Sequence, residues 1–113
     1  MISLNVSHSG DVVAVQVAGS IDALTCAPVE AALNEQLAAG RRHVVLDLAG
    51  VDFTSSTGLR MILAAAKEAR RQGGDLRLSG MQPAVARVLS ISGFIGLLKT
   101  FPDRESAVAS YAG

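Results

Sequence analysis

What this sequence has little of narrows its function before any motif is read. Aromatic residues make up only 4% of the 113, and ten Lys and Arg are balanced by ten Asp and Glu. A basic surface with interleaved stacking rings, the footprint of a nucleic-acid binder, is missing, so nucleic acid is not expected as a direct partner. Cys26 is the only cysteine, which excludes an internal disulfide and a multi-cysteine metal site. The two histidines, His8 and His43, stand far apart and lack metal-ligand spacing. No apolar run approaches the roughly 20 residues of a membrane helix. Met1 to Asp11 has no basic leader region. The expectation is a cytoplasmic protein with no metal, no cofactor and no membrane contact, and nothing demands more than a monomer.

Half of the residues are hydrophobic, enough for a real core, and the length suits one compact domain over residues 1–113. Ile2, Leu4 and Val6 alternate with Ser3, Asn5 and Ser7, the two-residue period of a half-buried strand. After the Ser9-Gly10-Asp11 turn, Val13, Val15 and Val17 resume the alternation, which predicts a hairpin. Leu24 to Ala39 reads as a helix; Pro28 pins its start near Thr25, and Gly40 stands just past its end. His43 to Leu48, rich in Val and Leu, predicts a strand buried on both faces and ending at Leu48.

Helical spacing returns from Ser56 to about Gln72 and stops at Gly73-Gly74. A short strand follows over Asp75–Ser79, then a helix opened by Pro83 and closed by Gly93. Leu98 to Phe101 is a last short strand, and Asp103 caps a final helix through Tyr111. This order predicts an α/β domain with about four helices. Its mixed sheet has four to five strands, beginning with the hairpin and continuing through parallel crossovers.

Ser55-Ser56-Thr57 places three consecutive hydroxyls at a helix start, ahead of Gly58. One hydroxyl caps a helix by accepting from an unpaired first-turn N–H, a contribution on the order of 1 kcal/mol. Three exceed what capping requires. A phosphate on such a serine adds roughly −1.5 to −2 charges beside the positive end of the helix dipole. Along the same helix Ile62, Ala65, Ala66 and Ala69 share one side, while Ser56, Arg60, Ala64, Lys67 and Arg71 share the other. The second set forms a basic stripe leading from Ser56.

Phe53-Thr-Ser-Ser-Thr-Gly-Leu-Arg60 resembles the signature of STAS-domain anti-sigma factor antagonists: a hydrophobic residue, Asp-Ser-Ser or Asp-Ser-Thr, then Gly-Leu. Gly19-Ser-Ile-Asp22 with Ala27-Pro28 is similar to the family's Gly-Glu-Leu-Asp and Ala-Pro segment. Gln72-Gly-Gly74, Pro83 and Ser92-Gly93-Phe94 fall at comparable turns, so the resemblance runs over nearly the whole chain. It departs at Ser55, where the family commonly has Asp.

The resemblance implies a single STAS domain and a binding switch rather than an enzyme. In such a switch the unmodified protein binds an anti-sigma factor that is also a serine kinase, releasing the sigma factor. Phosphorylation then dissociates the complex, and a PP2C-type phosphatase resets it. Carried onto this chain, the acceptor is Ser56, and Asp22, Thr54, Ser55, Thr57, Gly58 and Arg60 form the partner-binding surface. A STAS module that is never phosphorylated, acting as a scaffold or as a cytoplasmic subunit of a lipid transporter, is the alternative. A nucleotide-binding or catalytic turn is disfavoured. No Lys follows the turn in phosphate-loop spacing, and no Ser/His/Asp set stands in a plausible order.

Overall fold

The computed structural model describes residues 2–112. Strands β1 (Ile2–Ser9) and β2 (Val12–Ile21) form the expected antiparallel hairpin, in unbroken register from Ile2↔Gly19 to Ser9↔Val12. Helix α1 (Cys26–Ala38), β3 (His43–Thr54), α2 (Ser56–Arg71) and β4 (Asp75–Ser79) follow. Helix α3 (Pro83–Ile91), a 3₁₀ turn (Phe94–Leu97), β5 (Thr100–Phe101) and α4 (Arg104–Ala109) complete the fold. The five strands lie in the order β1-β2-β3-β4-β5, and every pair after the hairpin is parallel. The expected mixed sheet with an N-terminal hairpin and four helices is what the chain forms.

Alternation decides the layering. Val13, Val15 and Val17 of β2, with Val44 and Leu46 of β3, meet Val29 and Leu33 of α1, Ile62 and Ala66 of α2, and Leu89 of α3. The intervening Val12, Ala14 and Val45 meet Ala107 of α4, with Phe101 and Tyr111 alongside. Tyr111 Oη lies 2.7 Å from the carbonyl oxygens of both Val44 and Asp75, tying the end of the chain to two strands. The alanines of α2 are buried as expected, so this helix packs closely on the sheet.

Four expectations are corrected. Helix α1 begins at Cys26, not Leu24, because Asp22 and Thr25 hold the preceding residues in a turn. Helix α4 ends at Ala109 rather than Tyr111, whose hydroxyl is engaged by the sheet. Strand β3 does not stop at Leu48 but runs to Thr54. Its pairing with β2 steps from Gln16↔Asp47 to Ala18↔Gly50, and from Gly19↔Val51 to Ser20↔Phe53, so β3 carries one extra residue at each of two bulges. Strand β1 is not half-buried: Leu4 and Val6 are 36% and 37% exposed, because no element among the described residues covers this edge of the sheet.

Candidate functional site

Strands β2 and β3 end side by side, with Ile21 opposite Thr54, and the two loops that leave them meet. The backbone N–H of Ser55 donates to the Ile21 carbonyl at 2.8 Å. Within the first loop, Asp22 Oδ1 accepts from the N–H groups of Leu24 (2.9 Å) and Thr25 (3.0 Å) and from the Thr25 hydroxyl (3.1 Å). The Thr25 hydroxyl also lies 2.6 Å from the Ser20 carbonyl. The hydrogen bond from Leu24, with smaller help from Thr25, holds the Asp22 carboxyl below the ordinary carboxylate range. A fixed negative charge therefore stands in the loop bonded to the start of α2.

At that start the hydroxyls divide their work. Ser55 is the N-cap, extended at φ −88° and ψ 171°, and its Oγ accepts from the Gly58 N–H at 3.2 Å. Serine is as good a cap as aspartate, so the departure from the family's Asp costs the helix start nothing. Ser56 is the first helical residue and is exposed, as is Thr57. Ser56 is free of capping duty and open to solvent. Arg60 is exposed one turn further along the same face.

Two residues expected at a partner surface are buried. Thr54 is 2% exposed, with its side chain turned inward beneath α2. Gly58 is also buried: a Cβ there would sit 2.7 Å from Thr54 Oγ1 and 2.8 Å from Ile21 Cγ2. The expected place of this glycine, on the partner-binding surface, is corrected. Its bare face looks inward and lets the first turn of α2 settle on the ends of β2 and β3. Both residues position Ser56 rather than present a surface.

The basic stripe is also narrower than its sequence. Arg71 forms a forked ion pair with Glu68, Nε to Oε1 at 2.8 Å, and Glu68 is held at about 2 by the Arg71 hydrogen bond first and by Gln72 second. Arg60 and Lys67 remain as exposed cations on that face, without an ion-pair partner among the described residues.

Sequence reasoning missed two exposed apolar side chains here: Leu24 in the first loop, 90% exposed, and Phe53 near the end of β3, 47% exposed. Leu24 was masked by its assignment to α1. His8 and His43 meet neither Ser56 nor Asp22. They line a cleft of about 460 Å³ at the opposite ends of β2 and β3, where an Arg41 guanidinium N–H lies 2.8 Å from His8 Nε2. No group of three or more potential metal ligands occurs among the described residues, and no helix there is long and apolar enough to cross a membrane.

Residues 3–107 match the family model of the STAS domain. The chain belongs to the STAS-domain family. Over 93 residues it is 39% identical to BtrV of Bordetella bronchiseptica, designated a candidate anti-sigma factor antagonist; the match covers 82% of this chain and 80% of BtrV. A crystal structure of an anti-sigma factor antagonist from Mycobacterium paratuberculosis superposes with a TM-score of 0.91 at 25% identity, over 100% of this chain and 96% of that one. The Bacillus protein SpoIIAA shares the fold at 15–17% identity. Its unphosphorylated structure (98% of this chain, 99% of that one) and its phosphorylated structure (96% and 99%) both give a TM-score of 0.75.

Proposed function

We propose that this STAS domain is an anti-sigma factor antagonist working as a phosphorylation switch with Ser56 as its acceptor. The unmodified chain docks on an anti-sigma factor with serine kinase activity and releases that factor's target in the cytoplasm. Phosphate on Ser56 ends the complex, and a PP2C-type phosphatase restores it. The observation that carries this reading is the exposed Ser56 hydroxyl at the first position of α2, beside the loop of the ionised Asp22.

The physics supports it. A neutral hydroxyl can be covered by a partner, whereas burying an unpaired phosphate is costly. The positive end of the α2 dipole tolerates the new charge, so the modified chain stays folded and loses only its partner. SpoIIAA has the same likeness to this chain in its two phosphorylation states, in keeping with a modification that leaves the fold alone. The names of relatives across most of the chain's length point to the same class of partner.

The test is to mix the purified chain with ATP and an anti-sigma factor serine kinase from the same organism. One phosphate, mapped to Ser56 by mass spectrometry and absent from Ser56→Ala, is expected. An unmodified chain, or a phosphate mapped to Ser55 or Thr57, would overturn the assignment.

A further inference from the structure

We propose that β1 is a self-association edge: two copies of this chain pair antiparallel along β1, about a twofold axis at Asn5, and join their sheets. Exposed sheet edges are pairing templates, and proteins that stay single blunt them with Lys, Pro, bulges or short strands. The far edge of this sheet follows that rule, since β5 is only two residues long. Strand β1 does the opposite. Its eight residues, Ile2-Ser-Leu-Asn-Val-Ser-His-Ser9, carry no Lys, Arg, Asp, Glu, Pro or Gly, and they pair with β2 without a bulge.

The side chains of β1 specify what fits there. Leu4 and Val6 stand opposite Val17 and Val15, so they lie on the face covered by α1 and α2, yet both are more than one-third exposed. Ser3, Asn5 and Ser7 occupy the other face. When a second β1 runs antiparallel with Asn5 against Asn5, each Leu4 meets a Val6, and each Ser3 meets a Ser7. The central apolar residues pair on one face, with Ile2 against His8 at the ends, and hydrogen-bonding residues pair on the other, the cross-strand matching that stabilises sheets.

Neighbouring registers match less well. Centring on Val6 keeps one apolar pair, Val6 with Val6, in place of two and sets Leu4 against His8; centring on Leu4 shortens the paired segment, and a one-residue slip sets Leu4 against Ser7. A twofold interface requires this self-complementarity, and the absence of formal charge on β1, with zero net charge on the chain, removes repulsion between copies. The proposal departs from the monomer expected from the sequence, and it does not depend on the role of Ser56.

Sedimentation equilibrium on the full chain, from about 1 µM to about 1 mM where weak association titrates, tests it. The average mass is expected to climb from one chain toward two. Asn5→Lys and Asn5→Glu, at an exposed position, should each stay at one chain while keeping wild-type circular dichroism, and mixing them should restore the dimer. Should either variant fail to fold, cysteine pairing decides. In a Cys26→Ser background, Asn5→Cys is expected to oxidise to a covalent dimer, because opposed residues sit about 4.5–5.5 Å apart between Cα atoms, within disulfide range. Ser3→Cys alone should not. A wild-type chain that stays single throughout, or a dimer indifferent to Asn5, would overturn the proposal.

Discussion

Ser55 and Ile21 are joined by a single backbone hydrogen bond of 2.8 Å, and it makes one unit of two loops that are more than thirty residues apart in sequence. Asp22 follows one partner of that bond and Ser56 follows the other. The same Ile21 also supports Gly58 from below. A docking protein that reads the carboxylate and the hydroxyl together reads a spacing set by the sheet, not by loop flexibility.

Ser56→Asp places a permanent charge where the phosphate is proposed. It is expected to melt like the wild type and to weaken the complex by a few kcal/mol, the scale for a charge forced unpaired into an interface. Calorimetric titration against the kinase measures this directly. Unchanged affinity would place position 56 outside the contact.

Gly58→Ala is the sharper structural test. In an open helix alanine improves on glycine by about 1 kcal/mol. Here its methyl would meet Thr54 Oγ1 and Ile21 Cγ2 at 2.7 and 2.8 Å, and overpacking of this kind costs roughly 1–3 kcal/mol. A net loss is expected in urea unfolding, together with slower phosphorylation because the first turn of α2 must lift. A stabilised variant would return Gly58 to an ordinary helix position.

Arg60 and Arg71 should separate in kinetics, although both lie on the stripe. Arg60→Glu inverts an uncompensated exposed cation and is expected to slow association with an acidic partner surface, most visibly at low salt. Arg71→Glu makes the same change of charge about four turns from Ser56, beyond a Debye length at physiological salt, and should change the rate much less. Stopped-flow association at two ionic strengths distinguishes them; equal effects would argue against a docking role for Arg60.

Acid sensitivity should trace to Asp75. Burial pushes its carboxyl up, but hydrogen bonds from Arg70 (2.8 Å) and Arg77 (3.2 Å) outweigh burial and hold it below the ordinary value of 3.8. A depressed carboxylate contributes stability that is present above its unfolded value and lost as pH falls through the folded one. Unfolding free energy is therefore expected to fall below about pH 4. Asp75→Asn should be less stable at neutral pH and flatter in that window. An identical acid slope in both chains would assign it to other carboxylates.

Much of this was legible in the sequence, and the gaps have physical causes. Alternating Val13, Val15 and Val17, the alanine face of α2 and the Asp103 cap each announce their structure because one local period or bond decides it. Strand β3 beyond Leu48 was hidden because each bulge slips the two-residue period, so Ala49 to Thr54 reads as a turn. The exposure of Leu4 and Val6 depends on what lies past a sheet edge, which no alternation encodes. The proposed acceptor position came from the family resemblance that the hydroxyl cluster carries. Which hydroxyl caps and which way Gly58 faces required the third dimension.

The two bulges of β3 also make the stretch from Asp47 to Thr54 a measured spacer. It spends eight residues where β2 uses six, Gln16 to Ile21, to reach the same height. Deleting one would exchange inside for outside beyond the cut, turning Phe53 toward the core and Thr54 to solvent, and α2 would start on the wrong foot. A change of length at the Gly10 turn would leave this count untouched, whereas one between Asp47 and Ser56 would not, because the pleat itself sets it.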